Sequence, residues 1–259
     1  MASKDFGSIE SDYAFFMTHA TEAERDAAVY ERELNGFAEE RMSLRLLDFG
    51  CGTGDFTWRL LSMLNWPSEA LHITLVEPVQ HQRREAARRL VSFSRQPIDD
   101  RESLPDVRSS SFDLVLSNHA LYYVSDLAAT LERLTGQLCL GGKLLLAIAP
   151  WDNVLLKIWQ TGFALLDRPV PYYGAEDVEA ALAASETKFR RSRTAYQLLF
   201  PDTEENRIKV LRFLFGDELP RIGASRLLGE FDRHVRGDHV AIHTHSDHFT
   251  VDAESKLDG

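Results

Sequence analysis

The feature that most constrains this chain is a run of glycines at the point where the hydrophobic period changes. Residues 44–49 form a short apolar segment, and residues 54–64 then place apolar side chains at helical spacing. Gly50, Gly52 and Gly54 lie at the junction. Glycine lets a backbone turn sharply and approach a ligand closely, and a short apolar run that ends in glycines is typical of a buried parallel strand. The pattern therefore predicts a strand, a tight turn that can bind a ligand, and a helix.

The same alternation of strand and helix continues to residue 149. Further strands are predicted at residues 71–76, 91–95, 112–117 and 143–149. Helices are predicted up to about Leu90 and over residues 127–138, and Gly141-Gly142 is interpreted as the turn into the fifth strand. Alternating strands and helices form βαβ units, whose parallel sheet is covered by helices on both faces.

The segment before this core is predicted to be helical. Residues 8–42 contain two candidate helices, and Ser8 is expected to cap the first. Thr21 and Glu24 form a capping-box pattern that opens the second helix, which ends near Arg41.

The alternation ends after Pro150. Residues 151–235 are predicted to be mainly helical with one strand at 194–200, and residues 239–251 alternate as a closing strand does. We therefore expect one α/β domain over residues 1–259, with a Rossmann-like, seven-stranded, mostly parallel sheet and helices on both faces. Its parts are an N-terminal helical cover (1–43), a cofactor-binding core (44–150), a mainly helical insertion after strand five (151–235), and a closing strand with a tail (236–259).

The composition argues against several classes of protein. The net charge of −11 argues against a nucleic-acid substrate, because binding a phosphate backbone requires a basic surface. No apolar run approaches the roughly 20 residues that span a bilayer, and the first residues lack the apolar segment of a signal peptide. Cys51 and Cys139 cannot form a disulfide framework and lack metal-site spacing. We expect a cytoplasmic monomer or homodimer with no membrane and no nucleic-acid partner.

The spacing of the glycines distinguishes between cofactors. A dinucleotide fingerprint, G-x-G-x-x-G, requires glycine at the position that Asp55 occupies. An acid there opposes a pyrophosphate at a helix N-terminus, whereas S-adenosylmethionine has no phosphate and carries a cationic sulfonium. Glu77 follows the second strand and can accept hydrogen bonds from both ribose hydroxyls, although taken alone it is equally a solvated residue at a strand end. The combination predicts an S-adenosylmethionine site.

These motifs resemble those of the class I S-adenosylmethionine-dependent methyltransferases. Residues 46–54 are similar to the first motif of that class, and Val76-Glu77-Pro78 is similar to its second. Two further stretches, 112–115 and 140–144, are similar to its fourth-strand motif and its turn into strand five. The resemblance implies a methyltransferase whose cofactor is S-adenosylmethionine. The cofactor-binding residues indicated by the motifs and the resemblance are Asp48, Gly50, Cys51, Gly52, Glu77, Pro78, Gln82, Asp99, Asp100, Asn118 and His119.

A narrower resemblance is to the histamine N-methyltransferase family. It is carried by residues 16–22, by Gln82 after the second motif, by residues 121–131 and by Trp151-Asp152. It implies transfer of a methyl group to a nitrogen of a small-molecule acceptor, an amine or an imidazole compound. The implied catalytic residues are Glu22 and His119. The residues implied to bind the acceptor are Tyr13, Phe16, Glu22, His119, Tyr122, Tyr123, Trp151 and Thr244.

The chain departs from that family at two of its three polar substrate positions. His119 stands where the family has a glutamine, and Thr244 falls near the position of an asparagine in the last strand. Two other functions therefore stay open. One is a methyltransferase with an oxygen, carbon or peptide acceptor, and the other is a non-catalytic homologue that binds the cofactor or acts as a scaffold.

Each candidate acceptor residue also has a purely structural interpretation. Glu22 is an acid in the first turn of a predicted helix, which the helix dipole favours. His119 can be an exposed residue at the end of a strand, although ligands of open α/β sheets bind at such ends. One of Tyr122 and Tyr123 is expected to pack between a helix and the sheet.

The closing strand contains a possible metal-binding pattern. His243 and His245 alternate there and share a face, with Asp247 beyond, and two histidines with one carboxylate can hold a metal. Histidines in a sheet strand are more often surface residues, so no metal is predicted.

Overall fold

The computed structural model describes residues 10–39, 41–105 and 111–253. An eight-stranded sheet forms the centre of this part of the chain. In chain order the strands are β1 (Leu44–Phe49), β2 (Leu71–Val76), β3 (Asp99–Arg101), β4 (Phe112–Asn118), β5 (Leu138–Ile148), β6 (Arg190–Pro201), β7 (Val235–Arg236) and β8 (His239–Asp252). Their order in the sheet is β3-β2-β1-β4-β5-β8-β6, and β7 pairs with the start of β8. Strands β1 to β5 run parallel, whereas β8 is antiparallel to β5, β6 and β7.

Helices cover both faces of this sheet. They are α1 (Glu10–His19), α2 (Glu22–Glu33), α3 (Asp55–Leu64), α4 (Gln80–Leu90), α5 (Leu127–Gly136), α6 (Val154–Ala164), α7 (Ala175–Ala184), α8 (Glu204–Phe215) and α9 (Leu219–Ile222). Alternate residues of β5 enter two separate cores. Leu144 and Leu146 pack with apolar residues of α5 to α8, whereas Leu145 and Ala147 pack with those of α2, α3 and α4. Burial of the strands on both faces explains their nearly continuous apolar sequences, and the predicted α/β fold is confirmed.

The N-terminal helices lie against the second half of the chain. Phe16 of α1 stacks on Phe213 of α8 with ring centroids 4.2 Å apart. Helix α2 begins at Glu22, but the expected capping box is wrong, because Thr21 makes no side-chain cap bond. Its hydroxyl instead accepts a hydrogen bond of 3.0 Å from the backbone N–H of Gln197 in β6. The predicted cap at Ser8 lies outside the described residues.

The third strand was predicted at the wrong place. Residues Val91–Phe93 form a short 3-10 helix, and the side chain of Ser94 donates a hydrogen bond to the carbonyl of Leu71. The strand that pairs with β2 is Asp99–Arg101, which is short, polar and exposed at the sheet edge. An edge strand of three polar residues has no hydrophobic pattern, so the sequence carries no signal for it.

Two further boundaries were wrong, and one strand was not predicted. Strand β5 begins at Leu138 and continues through Gly141-Gly142, because the backbone of these glycines bonds to that of Ala253, the residue after β8. Strand β6 begins at Arg190, several residues before the apolar alternation. It can do so because β8 pairs with it along its whole length. The sheet also has an eighth strand, the two-residue β7, beyond the seven predicted.

No helix among the described residues is long and apolar enough to cross a membrane.

Candidate active site

A cavity of about 530 Å³ opens at the carboxyl ends of the parallel strands β1, β2 and β4. This is the edge at which open α/β sheets bind their ligands. The glycine turn and the end of β2 form one half of its wall, and residues of α1, α2, β4, α6 and β6 form the other.

The glycine turn has the backbone geometry that its sequence predicts. Gly50, Gly52 and Gly54 all have positive φ, of 73°, 52° and 75°. A Cβ on Gly50 would lie 2.2 Å from the Cβ of Ala120, so no other residue fits at that position. A Cβ on Gly52 would meet no atom within 4 Å, and its backbone is therefore open to a ligand. Close packing thus requires glycine at Gly50, and Gly52 leaves its backbone accessible.

Glu77 is held firmly at the end of β2. It is 8% exposed, and its Oε2 accepts a hydrogen bond of 3.2 Å from the N–H of Gly52. Its Oε1 accepts one of 2.9 Å from the N–H of Val79. A carboxylate has about four acceptor positions, so positions remain for ligand hydroxyls at the cavity.

A second buried acid, Asp48, lies beneath the turn. Burial raises the pKa of Asp48 to about 7, although the hydroxyl of Thr57 donates to its carboxylate and opposes the rise. The charge of nearby Glu77 also raises it.

These residues fit S-adenosylmethionine. Asp48, Asp55 and Glu77 all line the cavity, and acids around a glycine turn suit a cationic sulfonium and a ribose better than a pyrophosphate. All the predicted cofactor residues line the cavity except Asp99 and Asp100. Those two face other partners, since Asp99 pairs with Arg101 at 2.6 Å and Asp100 pairs with Arg83 at 3.5 Å. The residues that extend this wall after β3 are Glu102, Ser103 and Leu104.

The other half of the cavity is aromatic. Tyr13, Phe16, Tyr122 and Tyr123 line it, as predicted for an acceptor site, together with Trp159. The rings contact one another, with the centroids of Tyr122 and Trp159 5.6 Å apart. Tyr122 is also part of the core, as the structural interpretation expected.

Two predicted acceptor residues lie away from this cavity. The Nε1–H of Trp151 donates to Asp177 at 3.0 Å. The hydroxyl of Thr244 accepts a hydrogen bond of 3.0 Å from the N–H of Val154, so it supports the start of α6.

Glu22 projects into the aromatic half. Burial raises the pKa of its carboxyl group, as does the charge of Asp26, while His119 and a hydrogen bond from Tyr196 lower it. The Tyr196 hydroxyl in turn accepts a hydrogen bond of 3.3 Å from Asn153. Glu22 Oε1 lies 3.7 Å from His119 Nε2.

His119 follows β4 and has a left-handed backbone conformation, with φ 52°. Its Nε2 lies 2.8 Å from Asp26 Oδ2, and its Nδ1 lies 2.9 Å from the hydroxyl of Tyr122. The same hydroxyl accepts a bond of 2.7 Å from the N–H of Ala149. Burial alone would lower the pKa of His119, but Glu22 and Asp26 raise it to about 9. The two carboxylates therefore favour the cationic form of His119 at neutral pH.

Sequence reasoning missed three residues of this cluster, Asp26, His248 and Tyr196. Asp26 had a signal, because it occupies the buried face of α2 with Ala23, Ala27 and Tyr30, at positions i, i+3, i+4 and i+7. A carboxylate on an otherwise apolar helix face is a buried polar group that needs partners.

The described residues contain no group of three side chains arranged to hold a metal. Asp247 is bonded to Arg191 and Arg193, and His245 Nε2 lies 2.8 Å from Asp152.

Comparison with known proteins finds a methyltransferase domain within the chain. Residues 47–144 match the family model of a methyltransferase domain. A malonyl-[acyl-carrier protein] O-methyltransferase of Erwinia billingiae is 31% identical over 141 residues, which are 54% of this chain and 51% of that protein. This chain thus spans about half the length of that curated relative.

Solved structures share the fold at low sequence identity. The YcgJ protein of Bacillus subtilis has a TM-score of 0.59 and 17% identity, over 89% of this chain and 98% of that one. A putative methyltransferase of Bacillus halodurans has a TM-score of 0.57 and 11% identity, over 87% and 99%. A putative sarcosine dimethylglycine methyltransferase of Galdieria sulphuraria has a TM-score of 0.54 and 11% identity, over 89% and 87%. At these identities the likeness establishes the fold alone.

The comparisons support the methyltransferase class and its cofactor. They do not extend to the narrower resemblance to histamine N-methyltransferase, which stays a prediction, as do the acceptor and the oligomeric state.

Proposed function

We propose that this chain, which carries a class I methyltransferase domain with S-adenosylmethionine as its cofactor, moves a methyl group to a nitrogen of a small amine or imidazole compound. The observation that carries the proposal is the Glu22 carboxylate in the aromatic half of the cavity. His119 Nε2 is bonded to Asp26 at 2.8 Å and lies 3.7 Å from Glu22, so Glu22 is the less engaged of these two carboxylates and the one that an ammonium or imidazolium group can meet.

The protein's contribution is to orient the acceptor and to exclude water. When bound, the cofactor supplies an electrophilic methyl group on its sulfonium. Glu77 and the glycine turn hold the cofactor half of the cavity, and Tyr122, Tyr123 and Trp159 form the wall opposite. Alignment of the two reactants inside a dry cavity provides most of what such a displacement needs.

Glu22 also provides a place for a proton. An amine attacks only through an unprotonated nitrogen, so its proton must leave first. Burial raises the pKa of Glu22, which makes it a better proton acceptor than an exposed carboxylate. The hydrogen bond from Tyr196 opposes part of this rise in the pKa of Glu22.

A second candidate is methyl transfer to an oxygen. A histidine bonded to an aspartate at 2.8 Å, as His119 and Asp26 are, is an arrangement that can remove a hydroxyl proton when the imidazole is unprotonated. The relative from Erwinia billingiae is named an O-methyltransferase, which is consistent with an oxygen acceptor. The raised pKa of His119 argues against it at neutral pH.

The test is transfer of labelled methyl to a panel containing histamine, simple amines, a catechol and a carboxylic acid. We expect label on the amines or the imidazole, with loss of transfer in Glu22→Gln. Glu24→Gln is the matched control, because Glu24 lies on the same helix and is exposed. Label only on the catechol or the acid would replace this proposal with the second candidate.

Binding of S-adenosylhomocysteine, measured by calorimetry, separates the two halves of the site. Retained binding with no label on any panel member would overturn the amine assignment and leave the cofactor assignment standing.

A further inference from the structure

Asp26 is a fully buried carboxylate that joins three parts of the chain. It lies on α2, is 0% exposed, and accepts three side-chain hydrogen bonds. Its Oδ2 accepts from His119 Nε2 at 2.8 Å and from Asn118 Nδ2 at 3.1 Å, both at the end of β4. Its Oδ1 accepts from His248 Nε2 of β8 at 2.9 Å.

The hydrogen-bond pattern fixes which nitrogen of His248 carries hydrogen. An ionised carboxylate can only accept, so Nε2 is the donor to Asp26. His248 is 2% exposed, and its Nδ1 has no partner among the described residues. An unpaired buried donor is costly, so Nδ1 is the nitrogen without hydrogen. The role of His248 is thus to donate a hydrogen bond from Nε2 to Asp26.

The same pattern engages both nitrogens of His119. Nε2–H donates to Asp26, and Nδ1 is bonded to the hydroxyl of Tyr122. Burial alone would raise the pKa of Asp26, but the bonds from His119 and His248 lower it well below its ordinary value. Asp26 is therefore charged at neutral pH, and its charge stabilises the imidazolium form of His119.

We propose that Asp26 is a positioning residue of the acceptor site. It holds the His119 imidazole protonated and tied to Tyr122, so that His119 is not the base and Glu22 alone takes the proton of the acceptor. This inference rests on the proposed function for the role of Glu22. The arrangement of Asp26, His119 and His248 does not depend on it.

The groups that face His119 come from four elements. Glu22 and Asp26 belong to α2, and Tyr122 belongs to the 3-10 helix after β4. The Oγ of Ser246, in β8, lies 3.5 Å from His119 Nε2. His248 influences His119 indirectly, through its hydrogen bond to Asp26. Asn118 adds a neutral donor to the same carboxylate. The two carboxylates of α2 are thus the charges that control His119.

The test is a nuclear magnetic resonance titration of the protein labelled with ¹⁵N-histidine. Comparison with His119→Asn assigns the His119 signal. We expect wild-type His119 to remain an imidazolium through neutral pH and to titrate near pH 9. In Asp26→Asn the pKa of His119 should fall by about 1 to 3.

Asp113→Asn is the matched control, because Asp113 is a largely buried carboxylate at the opposite end of β4, paired with Arg45. It should leave the His119 titration unchanged. A wild-type midpoint at or below the ordinary histidine value of about 6.5 would overturn the proposal, and this measurement does not depend on whether Asp26→Asn folds. An unchanged midpoint in folded Asp26→Asn would overturn it equally.

Methyl transfer supplies a separate readout. With an amine acceptor, the pH profile of kcat/KM in Asp26→Asn should gain an ionisation at the lowered His119 pKa, which a merely structural role would not produce. If the titration gives the expected result but no amine is methylated, the proposed function fails and the positioning role of Asp26 stands.

Discussion

Asp48→Asn tests how burial of an acid beneath the glycine turn affects stability. Burial raises the pKa of Asp48 from 3.8 to about 7 in the folded protein. The substitution keeps the shape and an acceptor for the hydroxyl of Thr57, and it removes the ionisable group.

The sign follows from proton binding in the two states. Between about pH 4 and pH 7 the folded protein holds a proton on Asp48 that the unfolded chain has released, so stability falls as the pH rises. Each pKa unit corresponds to about 1.4 kcal/mol, and a rise of about three units therefore costs about 4 kcal/mol by pH 7. Below about pH 4 and above about pH 7 this contribution no longer changes with pH.

The measurement is the free energy of unfolding in urea for wild type and Asp48→Asn at several pH values without cofactor. The difference between the two isolates Asp48 from all other ionisations. We expect the free energy of unfolding of Asp48→Asn to rise relative to that of the wild type by about 1.4 kcal/mol for each pH unit between about pH 5 and pH 7. Above about pH 7 the difference should stay constant.

Asp113→Asn provides a control of opposite sign. Burial alone would raise the pKa of Asp113, but hydrogen bonds from Arg45 lower it. The free energy of unfolding of the wild type should therefore increase relative to that of Asp113→Asn as the pH rises from acidic values. Parallel curves for wild type and Asp48→Asn from about pH 5 to pH 8 would refute the reasoning.

Three further substitutions test the cofactor turn and the core. Gly50→Ala should weaken binding of S-adenosylhomocysteine at least about tenfold in calorimetry, because its Cβ would lie 2.2 Å from Ala120; Gly136→Ala, whose Cβ meets nothing within 4 Å, should bind normally. Glu77→Ala should cost about 1.5–3 kcal/mol for each lost ribose hydrogen bond, and unchanged affinity would remove the ribose assignment. Phe163→Ala, at a fully buried position, should lower the free energy of unfolding by about 3–5 kcal/mol; a loss under about 1 kcal/mol would contradict the described packing.

The cofactor half could be predicted because its determinants are local. The glycine turn, the strand before it and Glu77 lie within about one βαβ unit, where hydrophobic period and glycine spacing report directly on the backbone. Strand β3 could not be predicted, since its polar residues are placed only by pairing with β2. The start of β6 was missed for the same reason, because Arg190 and Arg191 are placed in the sheet by pairing with residues of β8.

The acceptor half depends on contacts that no local pattern encodes. Glu22 and His119 were proposed from resemblance, and the structure places them 3.7 Å apart. Asp26 and His248 are separated by 222 positions, and neither indicates the other in a single sequence. The apolar face around Asp26 shows that it is buried, but only the fold shows its partners.

The position of β8 in the sheet has a consequence for the order of events during synthesis. It lies between β5 and β6 although it is made after both. Among the described strands, β6 is hydrogen-bonded to β8 alone, so β6 has no place in the sheet until residues 239–252 have left the ribosome. Until then Asp26 likewise lacks the hydrogen bond from His248. Contacts this distant form late in folding, and a nascent chain that ends before His239 carries a nearly complete cofactor turn beside an unformed acceptor pocket.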